Sequence, residues 1–224
     1  MINGIIFDMD GLMFDTERLS TTGWLQTAEK LNIDLTIDFI NSYKGTSAFY
    51  SKQLFKNRFG DDFDYEYARG IRTEYMDLVI NESGVPIKKG LKELLSYLKE
   101  NHILAAVATS TNQLLGEKYL KMAGVYEYFT AVIYGDTVLK SKPEPEIFLK
   151  ASQAIGVAPE ECFVLEDSPA GIRAGYAAGI KVIHIPDQIV IKEDIKSKVF
   201  KICKDLNEVI QCIEIENKDN LETK

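Results

Sequence analysis

The chain has 224 residues, a formal net charge of -8, 46% apolar residues and 27% charged residues. That composition is ample for a core, and the acidic balance excludes partners that need a broad basic face, nucleic acid and anionic membranes among them. Three cysteines without metal-ligand spacing predict a reducing environment. The first residues lack a basic segment leading into an apolar run, and no stretch approaches the ~20 apolar residues of a membrane helix, so a cytoplasmic protein is expected.

In chain order, the first apolar run covers residues 2–7 and ends in Asp8-Met9-Asp10-Gly11. Residues 17–83 then follow a helical period: Trp24, Ala28 and Leu31, then Phe55 and Phe59, then Ala68, Ile71, Tyr75 and Leu78. The aromatic residues Trp24, Phe49, Phe55 and Tyr75 read as the core of this helical insert. Helical faces then alternate with short apolar runs at residues 103–108, 131–134, 162–165 and 181–185. Near-continuous Ile- and Val-rich runs suit parallel strands covered on both faces. The reading is an α/β protein, a Rossmann-like doubly wound parallel sheet with an inserted helical cap. Residues 1–16 and 84–224 form the core and 17–83 the cap. The last apolar run, 199–203, precedes a helix keeping Leu206, Val209, Ile210 and Ile213 on one face.

Ligands of open α/β sheets bind beyond the carboxyl ends of the strands. Those ends are polar here: Asp8 and Asp10; Thr109-Ser110-Thr111-Asn112; Lys142 after the third run; and Glu166-Asp167-Ser168. Clustered carboxylates favour a hard divalent cation, which also screens an anionic nucleophile from an anionic phosphate. Asp8 could attack phosphorus and Asp10 serve as acid and base, while Thr109, Lys142 and the amides beyond Thr109 hold the phosphate oxygens. Singly, Asn112, Asp167 and Ser168 would equally suit helix caps and turns.

These segments, FDMDGLMFDT, VATS, the lysine of SKPEPEIF and the Glu-Asp pair of LEDSPAGIRAG, resemble the haloacid dehalogenase (HAD) superfamily, in its β-phosphoglucomutase-like branch with a helical cap. The similarity spans residues 2 to roughly 186. The resemblance implies Mg²⁺ held by Asp8, Asp10, Glu166 and Asp167, with Glu166 either ligating directly or orienting another ligand. It further implies a phosphoryl group held by Thr109 and Ser110, a cis bond before Pro143, and selectivity in the cap loop Lys44-Gly45-Thr46-Ser47. Ser110, Thr111 and Asn112 complete the expected substrate-binding set, and a monomer is expected.

Dehalogenating members lack the second aspartate, so Asp10 argues against dehalogenation. β-Phosphoglucomutases of this type carry a cap histidine and an arginine where this chain has Ser20 and Ala48. Alanine cannot clamp the second phosphate of a bisphosphate intermediate, which favours hydrolysis of a small phosphorylated metabolite, a sugar phosphate first among them. Mutase activity stands as the alternative, and a phospho-accepting receiver-like signalling module as a remote one.

Overall fold

A computed structural model describes residues 1–44, 46 and 48–222. Its elements are β1 (Gly4–Phe7), α1 (Thr16–Leu31), α2 (Ile37–Asn41), α3 (Ala48–Phe59), α4 (Tyr65–Ser83), α5 (Leu91–Glu100), β2 (Leu104–Ala108), α6 (Gln113–Met122), β3 (Ala131–Ile133), α7 (Glu146–Ile155), β4 (Cys162–Glu166), α8 (Pro169–Ala177), β5 (Lys181–His184), α9 (Glu193–Lys196), β6 (Lys201–Ile202) and α10 (Leu206–Glu222). The strands form one sheet in the order β3-β2-β1-β4-β5-β6, every pairing parallel.

Alternation along the strands explains their continuous apolarity. Ile5, Phe7, Val107, Phe163 and Leu165 enter one core cluster with Leu residues of α5 and Val209 and Ile213 of α10. Ile6, Ala106, Ala108, Val164 and Val182 enter a second, on the opposite face, with Phe148 of α7 and Ile172 of α8. Strand order reverses between β1 and β4, and the register sets Phe7 opposite both Val107 and Leu165. Asp8, Thr109 and Glu166 therefore emerge at one edge, at the switch point.

The four helices α1–α4 lie between β1 and α5 and bury a separate cluster around Trp24, Ile40, Phe55 and Ala68. Trp24 and Phe55 pack with their rings tilted by 32° and their centres 4.7 Å apart. The chain's passages into and out of this insert are joined, because the Asp15 N–H donates to Pro86 O at 2.9 Å. Gly84 ends α4 with φ of 80°.

Three details differ from the sequence reading. Phe49 is 75% exposed rather than cap core. The short α2 arises where Thr36 Oγ1 accepts the Phe39 N–H at 3.2 Å, a cap that periodicity does not register. The first strand begins at Gly4, and before it the Ile2 N–H donates to Asn217 Oδ1 of α10 at 2.6 Å. Among the described residues no helix is long and apolar enough to cross a membrane.

Candidate active site

A cleft of about 450 Å³ runs from the edge of the sheet to the helical insert. That volume suits a small metabolite. At its floor, Lys142 Nζ donates to Asp8 Oδ1 at 2.5 Å and to Glu166 Oε1 at 2.7 Å, and it lies 4.8 Å from the centre of the Phe148 ring. The Lys142–Pro143 peptide bond is cis. Glu166 is fully committed: its Oε2 accepts the Ser168 N–H at 2.9 Å and the Ser168 hydroxyl at 3.0 Å. Gly171 makes the space for this carboxylate, since a Cβ there would lie 1.6 Å from Oε1. Glu166 thus positions Lys142 against Asp8.

Asp10 is gripped from two sides. The Thr16 hydroxyl donates to Oδ1 at 2.6 Å and the Thr111 hydroxyl to Oδ2 at 2.7 Å. The turn that brings Asp10 back over the sheet runs through Gly11, whose φ is 86° and where any Cβ would sit 2.3 Å from Asp167 Oδ2. Thr109 is buried, and its hydroxyl accepts the Thr111 N–H at 3.0 Å.

The carboxylates are poorly balanced by protein cations alone. Burial pushes the Asp8 carboxyl up to about 8 against the pull of Lys142, with Glu166 and Asp10 adding to the push. Burial, then the Glu166 and Asp8 charges, drives Asp167 well above the usual carboxylate range. For Lys142 burial acts downward, but Asp8 and Glu166 outweigh it and the net shift is upward. Asp167 Oδ1 is buried without a hydrogen-bond partner, and ligand oxygens of Asp8, Glu166 and Asp167 lie within 4.8 Å of one another. An orphaned buried carboxylate oxygen amid like charges fits a hard divalent cation. Asp10 stands apart from that oxygen cluster, because the two threonines hold its carboxylate.

The remaining expected residues divide. Ser110, Thr111 and Asn112 line the cleft, but Asn112 Oδ1 also caps α6 by accepting the Leu115 N–H at 3.1 Å. Thr46 lines the cleft from the cap loop, whereas Gly45 and Ser47 lie outside the described residues. Lys44 donates to Gln188 Oε1 at 2.9 Å and approaches Glu17 at 4.0 Å. That contact ties the cap loop to the segment after β5. His184 is a core residue, its Nδ1 3.0 Å from the Glu166 carbonyl oxygen. Sequence reasoning missed Gln188, Glu17, Tyr43, Arg69 and Arg72. The two arginines left one signal, a pair three residues apart on an otherwise apolar helical face.

This sheet, with its strand-end carboxylates and helical insert, defines a Rossmann-like α/β protein with a site for an anionic ligand and a cation. Residues 5–185 match the family model described as haloacid dehalogenase-like hydrolase. A phosphorylated carbohydrates phosphatase of Thermotoga maritima is 30% identical over 82% of this chain and 84% of its own. The β-phosphoglucomutase of Bacillus subtilis is 28% identical over 82% of this chain and 83% of its own. A β-phosphoglucomutase crystal structure from Clostridium difficile shares the fold with TM-score 0.81, 24% identity and 99% of each chain covered. The chain belongs to the haloacid dehalogenase-like hydrolase family.

Proposed function

We propose that this protein is a Mg²⁺-dependent phosphatase of small sugar phosphates that works through a phosphorylated Asp8. The observation that carries this reading is the Asp8–Lys142–Glu166 chain at the cleft floor, with Asp10 held beside it by Thr16 and Thr111. A phosphatase of phosphorylated carbohydrates among its relatives supports the substrate class.

Asp8 would attack phosphorus, breaking the bond to the sugar oxygen as the aspartyl-phosphate forms. Asp10 would give a proton to the departing alkoxide, then take one from the water that releases phosphate. The two threonines hold Asp10 in place through both half-reactions. Lys142 and the amides around Ser110 would neutralise the non-bridging oxygens, and Glu166 keeps the ammonium of Lys142 aimed. Mg²⁺, held by Asp8, Asp167 and the main chain of Asp10, would supply the charge that lets an anionic carboxylate approach an anionic phosphate. The helical insert, residues 17–83, acts as the cap that encloses the substrate, with Lys44 and Thr46 at its lower rim.

Ser20 and Ala48 favour hydrolysis, whereas the B. subtilis relative keeps phosphosugar mutation as a second reading. The test is phosphate release from β-glucose 1-phosphate and fructose 1-phosphate with Mg²⁺, after chelation, and with or without glucose 1,6-bisphosphate. Hydrolysis that is lost on chelation and restored by Mg²⁺ is expected. Bisphosphate-dependent formation of glucose 6-phosphate without stoichiometric phosphate would overturn the phosphatase reading.

A further inference from the structure

The cap end of the cleft holds charge that the reaction at Asp8 does not use. Arg72 of α4 lays its guanidinium carbon 5.6 Å from the centre of the Trp24 ring. Its Nη1 meets only the Met76 sulfur, a weak acceptor, at 2.9 Å. Its Nε is buried without a hydrogen-bond partner. Arg69, one turn earlier, lines the same cleft, and neither arginine forms an ion pair among the described residues. Tyr43 lines it too, only 7% exposed, with its hydroxyl buried and without a hydrogen-bond partner among the described residues. Tyr65, hydrogen-bonded to Ser51, completes this end.

Burying the Arg72 Nε and a phenol hydroxyl without acceptors is costly, and two cations on adjacent turns repel. The cost falls on one kind of group. Arg72 offers donors only, and the Tyr43 hydroxyl has a proton to give. Unsatisfied donors and cations on one cleft wall suit an oxyanion best, even with the Glu17 carboxylate acting on Arg72 from the same cleft. In a chain of net charge -8 this is a local departure from the general balance.

We propose that Arg72 and Tyr43, with Arg69 beside them, form an oxyanion subsite, so that the substrate carries a second anionic group remote from the phosphoryl at Asp8. The class is a small phosphate ester bearing a further phosphate or carboxylate. This rests on the phosphate-ester reading of the site, and extends it.

Two matched pairs test it with wild-type protein and Mg²⁺: fructose 1,6-bisphosphate against fructose 1-phosphate, and 2-phosphoglycolate against 2-hydroxyethyl phosphate. The doubly anionic member of at least one pair should be favoured by about 10- to 100-fold in kcat/KM. Which pair responds distinguishes phosphate from carboxylate. Arg72→Gln and Tyr43→Phe should each shrink that ratio, which does not depend on the amount of folded enzyme. Equal handling of both members in both pairs, or an unchanged ratio in Arg72→Gln, would overturn the proposal. A binding measurement stands apart from turnover. Trp24 is the sole tryptophan, so its fluorescence in an Asp8→Asn background reports on the neighbourhood of Arg72. Saturable change with the doubly anionic compound, tighter than with its partner and lost on adding Arg72→Gln, supports the subsite even if p-nitrophenyl phosphate and all four esters go unhydrolysed. Equal response to both members overturns the subsite while leaving the hydrolase reading standing.

Discussion

The two ends of the cleft are built on opposite plans. At the sheet edge the side chains around Asp8 are already held, Lys142 by two carboxylates, Asp10 by two hydroxyls and Glu166 by Ser168, while Asp167 Oδ1 is left for a cation. At the cap end Arg72 Nε and the Tyr43 hydroxyl are buried and unmatched. Groups that must be in place at the moment of bond breaking are fixed by the fold, because reorganising them then would add to the barrier. Groups that select a ligand are left incomplete, because it is the ligand that completes them.

The contrast can be broken first at the sheet edge. Asp8→Asn should lower phosphate release by about 10⁴-fold or more, as expected for removal of a nucleophile. Asp10→Asn should cost about 10²- to 10⁴-fold. Thr111→Val, which removes one of its two supports, should cost only about 10-fold in kcat, roughly one charge-assisted hydrogen bond. If Thr111→Val were as damaging as Asp10→Asn, the picture of two supports sharing one load would fail.

The cap offers the next handle. Phe55 is fully buried at the centre of the separate cap cluster, so Phe55→Ala should destabilise that region by about 3–5 kcal/mol. Amide hydrogen exchange should accelerate across α1–α4 while β1, β2 and β4 keep their protection. Uniform acceleration across the sheet would show instead that cap and core unfold together.

The last handle is pH. Burial pushes the Glu17 carboxyl up to about 7, against the pull of Lys44. A carboxyl raised in the folded state contributes its stability in full below the unfolded value, near 4.5, and loses it as pH rises through about 7. Glu17→Gln should therefore flatten the pH dependence of Tm across that window. It should raise stability at pH 8 by roughly 2–3 kcal/mol, measured by denaturant unfolding. A variant whose profile matches wild type would show that Glu17 is solvated and ordinary.

Much of the sheet was legible because burial on both faces writes itself as an unbroken apolar run, as in residues 162–165. The polar strand ends were legible for the complementary reason, that carboxylates such as Asp8 and Asp167 have no place in such a run unless something binds there. What Glu166 does was not legible. Whether it ligates or orients depends on Ser168 and Lys142 reaching it at once, which spacing alone does not reveal. Phe49 misled because aromatic residues usually signal a core, and here one stands exposed at the cleft instead. Arg72 was easily passed over because arginines on an amphipathic helix, even a pair such as Arg69 and Arg72, ordinarily face water. Only the packing of Trp24 and Met76 around it marks it as unusual.

The hydrogen bond from Asp15 to Pro86 has a consequence for how this architecture varies. Everything between those two residues leaves and rejoins the sheet domain at essentially one point. To the core, the whole insert is a closed loop whose ends already touch, and lengthening such a loop adds only slowly to its closure entropy. The stretch can therefore be shortened, enlarged or exchanged for another without moving β1 or α5. A graft that keeps Thr16, and with it the hydroxyl on Asp10, and replaces only what lies between Thr16 and Pro86 would show whether selectivity travels with the insert.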